Sequence, residues 1–314
     1  MLRACLLVVL IGCTACTSVI QLNSEVMLFS AHLMEDTPLQ TSELQLDSEE
    51  LVDHLILMFC SGSIGEVTFR QFPKLHKLTI WRSRIEHISA FLPITELEVV
   101  RSYFPNLDAS LQEKLQKLRI LTIKANKNFQ VEPLILKNFK HLQTLFISEA
   151  NFTDDCVTKN WFKGMEDLQQ LGLRGNGISC MTADALSSLQ NLRMLDLTNN
   201  HLADIHKTAF KELTKLEQLG FYENDLEEFD FQALASQKGH LELLGVSWKV
   251  LKSSGISAKN LLKVLPNLKL LSLGHTDMPT DFKAGEFCHI LKQNGASCMI
   301  DNLFGTPTLF GTQW

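Results

Sequence analysis

The sequence predicts an α/β solenoid, a horseshoe with about ten parallel strands on its concave face and irregular or short helical convex returns. Three observations predict it. Leucine triplets with one fixed internal spacing recur along most of the chain. An asparagine stands at the same offset in the best copies, and a phenylalanine precedes several triplets by a few residues.

Composition sets the frame for these observations. The 314 residues are 45% hydrophobic and 20% charged, enough to bury a core and too apolar for a disordered chain. With 29 Lys+Arg against 35 Asp+Glu the formal charge is −6, which argues against nucleic acid as a partner, because neutralising phosphates requires clustered cations. Beyond the first twenty residues no stretch is apolar enough to span a bilayer, so no membrane span is expected.

Residues 1–18 read as a secretory signal peptide: Arg3 supplies the positive start, Ala4 to Ile11 the apolar run, and small residues follow through Ser18. A secreted, extracellular protein is therefore expected. Leu10-Ile11-Gly12-Cys13 also matches a bacterial lipobox, which ranks second as a reading. Residues 19–51, where Leu44-Gln45-Leu46 alternate, are expected to form an N-terminal cap as a strand and short helix.

The repeats occupy residues 52–278. Three copies of the pattern Leu-x-x-Leu-x-Leu-x-x-Asn-x-Leu are nearly complete: Leu168-Leu171-Leu173-Asn176-Ile178, Leu192-Leu195-Leu197-Asn200-Leu202 and Leu216-Leu219-Phe221-Asn224-Leu226. Weaker copies centre on Leu55, Leu78, Leu97, Leu121, Leu145, Leu244 and Leu271, and the ten centres are 19 to 27 residues apart. One such unit cannot bury its leucines, whereas stacked units share a continuous core. The ladder Asn176, Asn200 and Asn224 would satisfy backbone groups buried between turns. Phe72, Phe139, Phe162 and Phe210 would fill the wider convex side. Residues 279–314 form the C-terminal cap, with a helix started by Thr280 or Asp281, carrying Phe282, Phe287, Ile290 and Leu291, and stopped by Asn294-Gly295.

This pattern resembles the extracellular leucine-rich repeat family over about residues 52–278. With the signal segment, it is similar to the secreted leucine-rich repeat immune proteins of insects, in a short form without their coiled coil. The resemblance implies a non-enzymatic protein-binding scaffold, with innate immune recognition as its role. Two other readings stay open: an extracellular matrix or adhesion protein with a structural role, and a lipid-anchored bacterial surface protein.

The chemistry-bearing residues fit that expectation. No catalytic, phosphate-binding or metal motif is found, so no enzyme, cofactor or metal is expected. His201 and His206 lack a third ligand, and Gly172, Gly220 and Gly245 fall between strand leucines, where they flatten the concave floor. Cys288 with Cys298 is expected to pin the cap, and Cys156 with Cys180 to bridge successive turns. Cys60 takes an asparagine-like site in the first turn; a buried thiol is the favoured reading and an intermolecular disulfide the sharper one. Asn151-Phe152-Thr153 offers a glycosylation site at Asn151.

The register also predicts a surface. Residues just after the inward leucines should point from the concave face, and Trp, Tyr and Arg there are the types that dominate interfaces. A basic-aromatic patch of Trp81, Arg82, Arg101 and Lys124 and a more acidic one of Phe146, Tyr222, Glu223 and Trp248 are thus expected to bind a protein partner. Any single one is as readily ordinary surface scatter.

Overall fold

The computed structural model describes residues 18–22, 25–29, 32–33, 52–66, 70, 72–125, 129–273 and 282–299. The expected signal segment before Ser18, the lipobox, the alternating Leu44–Leu46 and the proposed helix start at Thr280 or Asp281 lie outside these residues.

Alternating leucines make each turn a short strand, and the turns stack into one thirteen-stranded sheet. In sheet order its strands are Ser18–Leu22, Glu25–Phe29, His54–Met58, Lys77–Trp81, Glu96–Val100, Ile120–Lys124, Thr144–Ser148, Gln170–Gly172, Met194–Asp196, Gln218–Gly220, Leu243–Val246, Leu270–Leu273 and Ser297–Met299. All neighbours run parallel except the first two, which form an antiparallel hairpin. The ten predicted centres stand opposite one another without a slip, from Leu55↔Leu78 through to Leu244↔Leu271. The row extends beyond them to Val26 at one end and Cys298 at the other. The sheet therefore exceeds the expected ten strands because Ser18–Leu22, Glu25–Phe29 and Ser297–Met299, outside the ten centres, join it. Sequence periodicity does not carry that far, since Asn23 stands where the leucine before Val26 would be and Cys298 has no leucine at either flanking position.

Burial follows the pleat. The second and fourth residues of each five-residue repeat strand face the core, and Leu78, Ile80, Leu97, Val99, Leu121, Ile123, Leu145 and Ile147 are all buried. Phe72, Phe139, Phe162 and Phe210 are buried in the returns, as their positions predict. Step length decides what each return contains. The 19-residue step from Leu78 to Leu97 holds only the strand Arg84–Ile88. Helix α1 (Ala109–Lys114), in the next return, starts where the Asp108 carboxylate accepts from Leu111 N–H at 2.9 Å. The 27-residue step from Leu244 to Leu271 holds two helices, α2 (Trp248–Ser253) and α3 (Ala258–Val264), the second capped by Ser257. Helix α4 (Phe282–Gln293) packs on α3, and Gly295, at φ +86°, ends it as a left-handed C-terminal residue.

The polar ladder joins the turns. Asn200 Oδ1 accepts from the N–H groups of Asn176 and Ile178 at 3.0 and 3.1 Å, while its amide donates to the Leu173 and Leu197 carbonyls. Asn176 and Asn224 act likewise one turn away on each side. Where asparagine is missing, serine takes over. Ser83 Oγ accepts from Cys60 N–H at 3.0 Å, and Ser102 Oγ accepts from Ser83 N–H at 3.1 Å.

Two disulfides form, Cys156–Cys180 and Cys288–Cys298, with Cα separations of 4.6 and 5.4 Å. The first joins residues already opposite each other in a small parallel ladder, so the 26-residue step between Leu145 and Leu171 absorbs the offset between them. An intermolecular disulfide through Cys60 is corrected: the residue is 2% exposed, and its thiol donates to the Met58 carbonyl at 3.4 Å inside the core.

Candidate functional site

The strands present three outward positions per turn, followed by an arch residue at the strand's C-terminal end. In eight successive turns that arch residue is left-handed: Phe59, Arg82, Arg101, Ala125, Glu149, Gly175, Asn199 and Glu223, with φ between 46° and 69°. Backbone bonds lock each arch to the next, as in Arg82 N–H to the Val100 carbonyl (3.0 Å) and Arg101 N–H to the Lys124 carbonyl (2.9 Å). The side chains of this rim are thus held at rungs about 4.8 Å apart.

At the N-terminal end the rim carries large groups open to solvent. Phe59 is 48% exposed and meets the half-buried Trp81 edge-on at 5.4 Å between centroids. The Arg82 guanidinium lies 4.6 Å from the Trp81 ring centroid, a cation–π arrangement. Arg101 is exposed on the next rung. Two residues further along each turn, the Arg84 guanidinium covers the exposed Tyr103 ring at 4.7 Å and pairs with Glu86 at 3.0 Å. Phe59 and Tyr103 escape a reading that starts its columns at Trp81. Extending the arch register one turn back reaches Phe59.

Lys124, expected as part of a basic patch, is neutralised. Its ammonium sits 3.6 Å from the Glu98 carboxylate on the concave floor, both side chains mostly covered. Burial pushes the Glu98 carboxyl above its usual range, opposed by Lys124 and Lys77. Burial likewise pushes the Lys124 ammonium down, opposed by Glu98. On the rim itself the open positive charge of this end is that of Arg82 and Arg101.

The second expected patch is corrected more fully. Phe146 is buried because its ring lies across Gly172, where a Cβ would fall 2.3 Å from Phe146 Cδ1. Tyr222 is 0% exposed; burial, with Asp196 and Glu223 nearby, raises its phenol, and Arg174 opposes that rise. Trp248 opens α2 instead of continuing the rim, and its ring packs edge-on against Phe287 at 6.0 Å. Glu223 remains at the rim, paired with Arg174 at 3.8 Å. Sequence register gives the side of the sheet on which a residue lies, but not whether a neighbour covers it.

Asp196 was not singled out by sequence. It stands on the concave floor in the row Gly172, Asp196, Gly220, is 5% exposed, and accepts from Thr198 N–H at 2.9 Å. Burial pushes its carboxyl up. Elsewhere, Asn151 is exposed in the strand Asn151–Phe152. His201 and His206 are exposed, with His201 3.1 Å from Asp225. Among the described residues no His, Cys, Asp and Glu group is arranged to hold a metal, and no helix is long and apolar enough to cross a membrane.

Residues 155–202 and 190–238 match the leucine rich repeat family, and together these spans contain all three strong copies. The chain folds as a leucine-rich repeat solenoid. Known structures agree over a wider span. A chain of the TLR13–ssRNA13 complex superposes with TM-score 0.55 at 19% identity, covering 79% of this chain and 39% of that one. A chain of the octameric complex of Latrophilin 3, Unc5D and FLRT2 gives 0.56 at 18%, covering 80% and 84%. A chain of the Drosophila Toll–Spatzle complex gives 0.54 at 15%, covering 82% and 41%. The chain thus spans about two fifths of the TLR13-complex and Toll-complex chains. No curated protein sequence matches it. At such identities the likeness is one of fold.

Proposed function

We propose that this leucine-rich repeat protein is a secreted, non-enzymatic protein-binding module. One observation carries the reading: the exposed side chains of Phe59, Arg82 and Arg101 stand on an arch that the backbone fixes turn by turn, with the half-buried Trp81 ring beside them. Groups already ordered lose little entropy on binding, so a partner gains most of the contact energy they offer. Secretion is supported by the character of residues 1–18 and by two disulfides, which persist in oxidising compartments. Exposed Asn151 would carry a glycan on that route.

The immune role rests on fold likeness to chains of the TLR13 and Toll complexes, which is analogy at the level of architecture. The RNA of the TLR13 complex is not carried over, because a formal charge of −6 disfavours a polyphosphate ligand. Affinity capture from the source fluid with the full chain tests the binding reading. A saturable protein partner is expected, and its absence alongside turnover of a small molecule would overturn the proposal. Expression that rises on infection supports the immune role; steady deposition in tissue assigns a matrix role instead.

A further inference from the structure

We infer that the N-terminal rim anchors an acidic segment of a protein partner, with Arg82 and Arg101 as the charge contacts and Phe59 and Trp81 as the apolar platform. This deepens the binding-module reading and rests on it. The two arginines stand on consecutive rungs, exposed, and neither forms an ion pair among the described residues. Four other cations on the strands or just after them are engaged: Lys124 with Glu98, Arg84 with Glu86, Lys77 with Glu96 at 4.0 Å, and Arg174 with Glu223. Two like charges on neighbouring rungs repel each other in the free chain, and a carboxylate placed between them relieves that repulsion. The guanidinium of Arg82 already lies against the Trp81 ring, and Phe59 meets the same ring edge-on. Aromatic surface beside fixed guanidinium groups suits a segment that carries an apolar side chain next to its acids.

The rest of the rim limits the occupant. After Ala125 its side chains turn acidic, with Glu149 and Glu223 on later rungs. A long polyanion laid across the rungs would meet those carboxylates, whereas a short acidic stretch confined to the first turns does not. The same reversal of sign leaves a second copy of this chain, inverted, as the main competitor for the occupant.

The test uses the full chain and three labelled probes of equal charge magnitude: a Glu-rich peptide carrying one leucine, a Lys-rich peptide carrying one leucine, and a single-stranded oligonucleotide. Fluorescence anisotropy should show binding of the Glu-rich peptide that weakens with added salt. The double variant R82E/R101E should lose about tenfold in affinity for it and gain the Lys-rich peptide. Lys211→Glu, an exposed charge reversal elsewhere, should change neither. Circular dichroism of both variants, matching that of the wild type, keeps misfolding out of the comparison. Equal affinity of R82E/R101E and wild type for the Glu-rich peptide, or tighter binding of the oligonucleotide, overturns the assignment. So does a dimer that R82E/R101E dissociates while the peptide fails to bind. If a captured partner binds R82E/R101E as well as wild type, the protein-binding reading stands and this site alone fails.

Discussion

Asn200 shows how a single side chain holds two turns. Its amide and carbonyl serve two N–H groups and two carbonyls that the stacked turns bury. Asn200→Ala leaves all four without that partner, and an unmade buried hydrogen bond costs about 1–3 kcal/mol. Chemical denaturation should show a loss at the upper end of that range or beyond it. Ser83→Ala should lose less, because Ser83 serves fewer groups through one hydroxyl. The asparagines were legible in sequence because three copies repeat the full pattern; the serines were not, since a lone serine in a degenerate copy has no periodic signature. Asp196 was invisible for a related reason: its burial comes from neighbouring turns. Its raised carboxyl has a consequence with a definite sign. Above its ordinary pKa of 3.8 the unfolded chain gives up this proton before the folded chain does, so stability falls as pH rises through the window above 3.8. Asp196→Asn removes that dependence and keeps an acceptor for Thr198 N–H. The melting temperature of the variant, relative to wild type, should therefore climb from about pH 4 upward. A constant difference would remove Asp196 from the explanation.

The strand and its return form the unit at the scale of elements. Leu195 is fully buried between Leu171 and Leu219, so Leu195→Ala opens a cavity that no flexible end can fill. Its expected cost is about 3 kcal/mol, read by denaturant unfolding. Cys156–Cys180 fixes successive returns over a sequence separation of 24. Replacing both with serine should cost about 3 kcal/mol by freeing the unfolded chain. Peptide mapping without reduction should recover both linkages, and free thiols at Cys288 and Cys298 would contradict the account of the cap. Strands and their register were legible because leucine spacing repeats ten times and a one-residue slip would turn each strand inside out. The contents of the returns were less so. Step length signals room for helices between Leu244 and Leu271, but only packing shows that Trp248 enters the first of them and turns inward.

For the whole molecule, the stack converts a one-dimensional repeat into a fixed surface whose charge changes along its length. The floor is largely self-satisfied, through Glu98 with Lys124 and Phe146 over Gly172, whereas the N-terminal rim is not. Sequence register located Trp81, Arg82 and Arg101 on that surface and also placed Tyr222 and Trp248 there, since it carries no information on cover. Hydrogen–deuterium exchange of the full chain, with and without its captured partner, tests the central claim most directly. The account predicts new protection in the peptides spanning Met58–Cys60, Trp81–Arg84 and Val100–Tyr103, with the convex returns unchanged. Protection confined to the returns, or to the cap helix Phe282–Gln293, would contradict it.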